Sequence, residues 1–105
     1  MSEAVRLTQE LVRIESTNPG VQEFEIAEYI LGYLSGCGAK IRVDEVSKGR
    51  RNLLASLEGE KTGESLIMVC HMDTVVIGEG WTVPALSGIQ NNGRIYGIII
   101  VCEGT

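Results

Sequence analysis

Leu66-Ile67-Met68-Val69-Cys70-His71-Met72-Asp73-Thr74 is the stretch on which the reading of this chain turns. Its first five residues are apolar at every position. A strand buried on both faces reads that way, because neither side alternates to a polar surface. The run then gives way to a histidine and an aspartate two residues apart. In open α/β sheets, ligands bind beyond the carboxyl ends of strands, so the pair stands where a functional group belongs. Residues i and i+2 of an extended chain point to the same side, which puts imidazole and carboxylate together. A carboxylate so placed orients the ring, fixes its tautomer and raises its basicity as a metal ligand. His71 is the only histidine among 105 residues, so no site within the chain is built from two.

Working outward, two amphipathic helices precede this stretch. In the first, Ala4, Leu7, Leu11 and Ile14 step by three and four, with Val5 and Val12 beside them. Ser2 suits its N-cap and Glu3 the positive end of its dipole. Ser16-Thr17-Asn18-Pro19-Gly20 stops it, since Pro19 disfavours the helical region for Asn18. The second helix carries Phe24, Ala27, Ile30/Leu31 and Leu34 as its stripe and ends at Gly36-Cys37-Gly38. Strand patterns follow at Ile41–Val43 and Leu53–Leu57, separated by a turn at Ser47-Lys48-Gly49. After a polar loop at 58–64 come the apolar run and a last strand that starts at Arg94-Ile95-Tyr96 and leads into Ile98-Ile99-Ile100-Val101. Two helices followed by a mainly β stretch predict an α/β layered domain. The length allows one domain, or part of one, and not two.

The charge balance is 9 − 14 = −5, which argues against a nucleic-acid or anionic-membrane partner. Lys48, Arg50 and Arg51 form the only basic cluster and read as a solvated loop rather than a phosphate site. No apolar stretch reaches the roughly 18–20 residues of a membrane span, and the charged N-terminus does not read as a signal peptide. Cys37, Cys70 and Cys102 are odd in number and widely spaced. That suits reduced thiols and a cytoplasmic location better than a disulfide framework.

From Leu66 onward the chain resembles a zinc-dependent amidohydrolase and exopeptidase family, that of acetylornithine deacetylase, succinyl-diaminopimelate desuccinylase, aminoacylase and carboxypeptidase G. The resemblance is carried by the apolar run into His71-Met72-Asp73-Thr74-Val75, by Gly80-Trp81, Pro84 and Ser87-Gly88, and by Asn92-Gly93-Arg94-Ile95-Tyr96-Gly97. Upstream, Ser16-Thr17-Asn18-Pro19-Gly20 and residues 51–59 look like the family too. The resemblance implies that His71 is a metal ligand and that Asp73 is the carboxylate holding it at the catalytic centre. It also implies a two-zinc site in the complete enzyme, where a metal-activated water attacks the amide of an N-acyl amino acid or small peptide. The fold implied is the N-terminal portion of a layered catalytic domain over residues 1–105, two helices followed by a mixed, largely parallel sheet, incomplete and without the lid or dimerisation domain. The acetylornithine and succinyl-diaminopimelate branch looks nearest.

After Gly97 the resemblance stops. The family continues with a motif whose aspartate bridges the two metals, whereas Cys102 stands in that register here and Glu103 beside it. The family's catalytic glutamate and remaining ligands have no counterpart before residue 105. Cys70 and Cys102 have no C-x-x-C spacing to support a thiolate site, and Cys70 in an apolar strand reads as core packing. Trp81 reads as a loop aromatic or a cleft wall. The expectation is an inactive N-terminal fragment that binds no zinc tightly, the product of a frameshift or a premature stop. The alternatives are an enzyme completed in trans by another chain, and a non-catalytic interaction fragment that self-associates through the apolar edge at Ile98–Val101.

Overall fold

The computed structural model describes residues 2–18 and 23–98. Helix α1 spans Glu3–Arg13, and Ser2 caps it, its Oγ accepting from the Val5 N–H at 3.2 Å. Helix α2 spans Phe24–Ser35 and ends at the predicted glycines. Strands β1 (Lys40–Ser47) and β2 (Arg50–Ser56) form an antiparallel hairpin across Lys48-Gly49, with Val43 opposite Leu53 and an irregularity between Glu45 and Ser47. Strands β3 (Ile89–Asn91) and β4 (Arg94–Tyr96) form a second hairpin. Its turn is Asn92-Gly93, both at positive φ (52° and 74°), as a two-residue turn matched to strand twist requires.

The buried helix faces differ in centre from the predicted stripes. On α1 the buried residues are Gln9 and Val12, not Ala4 or Leu7. Gln9 tolerates burial because its Nε2 donates to the Gly88 carbonyl at 2.7 Å, which removes the desolvation penalty of a lone amide. On α2, Ile26 and Ala27 are buried while Phe24 is exposed. Phe24 serves instead as a platform for the Arg51 guanidinium, 4.6 Å from its ring centre. The hairpin β1–β2 packs on α2. Helix α1 is tied to α2 by Tyr29–Glu10 and Tyr33–Glu3 hydrogen bonds, and Glu3 pushes the Tyr33 phenol above its ordinary pKa. Helix α1 also receives the 85–98 segment, where Arg13 Nε donates to the Ser87 carbonyl and Ile98 N–H to the Ala85 carbonyl.

That segment approaches α1 closely. A Cβ built on Gly97 would run into the Val12 side chain and lie 3.1 Å from the Ala85 carbonyl oxygen. Gly97→Ala is expected to destabilise the chain by about 1–3 kcal/mol, the usual cost of overpacking. Gly59, with open space around its Cβ position, is the control: Gly59→Ala should leave the urea midpoint unchanged or slightly raised.

Three expectations are corrected. The mixed α/β class holds, but among the described residues the sheets are two antiparallel pairs and the parallel element is a single bridge between Thr17 and Thr74. The apolar run forms no strand. Leu66 to Val69 are 75–84% exposed, and Cys70 is an exposed thiol rather than a core residue. Composition made this run fit to be buried on two faces, but burial needs neighbours, and none of the described residues pairs with it. The basic cluster is also more than a solvated turn. Lys48 is exposed, but Arg50 pairs with Glu23 and Arg51 with Glu28 and Glu45, which ties the hairpin to the start of α2. The open run fits the radius of gyration, 15.4 Å, against about 13 Å for a compact chain of about 100 residues. Ile99–Val101, Cys102 and Glu103 lie outside the described residues.

Candidate functional site

The join between residues 16–18 and 72–74 builds the site. Thr74 N–H donates to the Ser16 carbonyl and Asn18 N–H to the Thr74 carbonyl, both at 2.9 Å. Buried Ser16 adds a third bond, its Oγ donating to the Met72 carbonyl at 2.8 Å. A chain that is otherwise open from Leu57 to Cys70 is thereby pinned where His71 and Asp73 stand.

His71 Nδ1 lies 2.8 Å from the Asp73 carbonyl oxygen and 3.2 Å from its carboxylate Oδ1. Both are acceptors, so Nδ1 carries a proton in this arrangement, and in the neutral ring the lone pair then falls on Nε2. The other carboxylate oxygen, Oδ2, accepts from Asn18 Nδ2 at 3.0 Å. That bond holds the Asp73 carboxyl below the usual carboxylate range against the opposing effect of partial burial, and His71 and Arg50 act in the same direction as the bond. Arg50 itself donates to both oxygens of Glu23, Nε at 2.9 Å and Nη2 at 3.3 Å. Its cation is stabilised first by Glu23 and further by the charge of Asp73.

The i, i+2 reading of the sequence thus brings imidazole and carboxylate together, although on an open segment rather than at a strand end. Two participants escaped it. Asn18 read as part of a helix stop and of the family-like Ser16–Gly20 stretch, without a link to Asp73, and Arg50 as a loop charge. Neither has a local pattern that points to Asp73, which is 55 residues from Asn18 in sequence. Trp81 is half-exposed and lines a shallow open depression with Ile77, Glu79 and Val83.

A catalytic zinc takes three protein ligands and a water. Among the described residues, no group of three or more His, Cys, Asp or Glu side chains could hold a metal ion. The arrangement is one imidazole beside one carboxylate, and the described residues do not supply a complete donor set. Among the described residues, no helix is long and apolar enough to cross a membrane.

Comparison with known proteins points to one activity name. The chain is 31% identical over 75 residues to acetylornithine deacetylase of Aliivibrio fischeri ES114 and, equally, to that of Vibrio cholerae El Tor N16961. It is 34% identical over 62 residues to acetylornithine deacetylase of Aliivibrio salmonicida. The longer matches take in 70% of this chain and 19% of each relative, so the chain spans about a fifth of their length. The match to A. salmonicida takes in 58% of this chain and 16% of the relative. In a chain of 105 residues, a contiguous 70% necessarily includes both His71 and Asp73. No family model matches the chain, and no solved structure matches it significantly.

Proposed function

We propose that residues 1–105 are the N-terminal part of the catalytic domain of a metal-dependent amidohydrolase that cleaves N-acyl amino acids. In this reading zinc is the metal, His71 is one of its ligands and Asp73 is the carboxylate that orients it. A bound zinc would supply an acidified water and a polarised carbonyl. The observation that carries the reading is the hold of Asp73 on His71 Nδ1, which presents Nε2 in the form a metal takes, within a stretch similar to acetylornithine deacetylases. The exposed run at Leu66–Val69 supports it, since an apolar segment of that composition is fitted to sheet neighbours the described residues do not supply. A reducing, cytoplasmic setting belongs to the same reading, with Cys37 and Cys70 as exposed free thiols.

The reading makes this polypeptide inactive alone and dependent on further ligands, whether from a longer chain or from a second one. It is tested by mixing the 105-residue chain with the C-terminal remainder of the V. cholerae relative and following zinc-dependent release of acetate from N-acetylornithine. Hydrolysis is expected in the mixture and in neither part. Stoichiometric sub-micromolar zinc binding by the 105 residues alone, seen by calorimetry, would contradict the reading. So would a folded mixture that hydrolyses no N-acyl amino acid.

A further inference from the structure

Asp73 has two carboxylate oxygens and a different partner for each. Oδ1 faces His71 Nδ1 at 3.2 Å, and Oδ2 accepts from the Asn18 amide at 3.0 Å. The terminal torsion of an aspartate is broad and roughly two-fold, so one oxygen must be held if the other is to keep its direction. Asn18 can do this because its own place does not depend on its side chain. Its backbone N–H bonds to Thr74, while Ser16 holds Met72 and Thr74 through the Met72 carbonyl and the Thr74 N–H. The amide is thus delivered by bonds to the residues on either side of Asp73. Arg50 approaches the same carboxylate only as a charge, since its guanidinium is engaged by Glu23.

We propose that Asn18 is a positioning residue, which fixes the Asp73 carboxylate and through it the tautomer and orientation of the His71 ring. The catalytic value of that arrangement rests on the reading of His71 as a metal ligand. The arrangement itself does not.

The presence of a single histidine makes the test direct. With histidine-selective ¹⁵N labelling, every imidazole resonance belongs to His71. The spectrum is read on the chain without metal, at a pH where the ring is neutral. In the unaltered chain the Nδ1–H form is expected to predominate. Asn18→Leu should shift the balance toward the Nε2–H form by about two- to tenfold, the range a single hydrogen bond gives. The Asp73 backbone carbonyl, 2.8 Å from Nδ1, keeps part of the preference. Ser16→Ala removes one of the three bonds of the same join while leaving the carboxylate's own partners in place, and should shift the balance less than Asn18→Leu does. If Asn18→Leu does not fold, as judged by its amide spectrum, Asn18→Ala is read in its place. An unaltered balance in the folded Asn18 variant overturns the proposal, and so does an equal shift in Ser16→Ala. A shift confined to Asn18 variants in a chain that never supports hydrolysis refutes the functional reading alone and leaves the positioning role standing.

Discussion

His71→Ala in the complemented enzyme is expected to lower kcat/KM for N-acetylornithine by about 1,000-fold or more. If His71 is a metal ligand as proposed, several kcal/mol of metal-derived charge stabilisation are lost, at about 1.4 kcal/mol per tenfold. Asp73→Asn keeps the shape of the side chain but removes its charge. It should cost only about 10–100-fold, the usual effect of replacing a group that orients a metal ligand. The order of the two effects is the decisive quantity. If Asp73→Asn were the more damaging, Asp73 would be acting on the substrate or metal directly, and the roles assigned to the pair would be wrong. Both variants should bind the complementing polypeptide as the unaltered chain does, because the pair is partly exposed and the 16–18 join is made by backbone and by Ser16.

Ile26→Ala is expected to destabilise the chain by about 2–5 kcal/mol, the range for truncating a large aliphatic side chain in a core. Ile26 is 1% exposed and is the largest fully buried apolar side chain among the described residues. The other buried apolar side chains there are Val12, Ala27 and Ala85, and two of these are too small to fill the space left behind. Small domains are stable by only about 5–15 kcal/mol in total, so the loss is a large share of the whole. Urea unfolding followed by circular dichroism should show the midpoint falling by about 1 M or more at unchanged slope. Leu57→Ala, at an exposed position, is the comparison and should stay within about 0.5 kcal/mol of the unaltered chain. Equal effects of the two substitutions would show that α2 does not pack as described.

Much of the local structure was legible from residue order. Ser2 before an apolar 3.6 period marks the start of α1, Gly36 the end of α2, and Ser47-Lys48-Gly49 the turn between two strand-like runs. Asn92-Gly93 between Asn91 and Arg94 is an equally strong hairpin turn, yet in the sequence it read only as part of a longer motif. The failure at Leu66–Cys70 has a different origin. An apolar run states what a segment would bury and not whether anything covers it, and strand formation depends on the partner. The site divides along the same line. The His71–Asp73 pair follows from the two-residue period of extended chain. Asn18 and Arg50 are brought to Asp73 by tertiary contact, which no local pattern encodes.

The parallel bridge between Thr17 and Thr74 carries a kinetic consequence. The bonds beside it close a loop of 55 residues, at an entropic cost on the order of 3–4 kcal/mol before any contact is made. The β1–β2 hairpin lies wholly inside that loop and closes over a two-residue turn. On loop length alone, the hairpin is therefore expected to form before the bridge. The order of opening runs in reverse, so the amides of Asn18 and Thr74 should exchange with solvent at a lower free energy than those of β1 and β2. The histidine and its carboxylate are thus held by a join that is expected to close after the hairpin and to open before it.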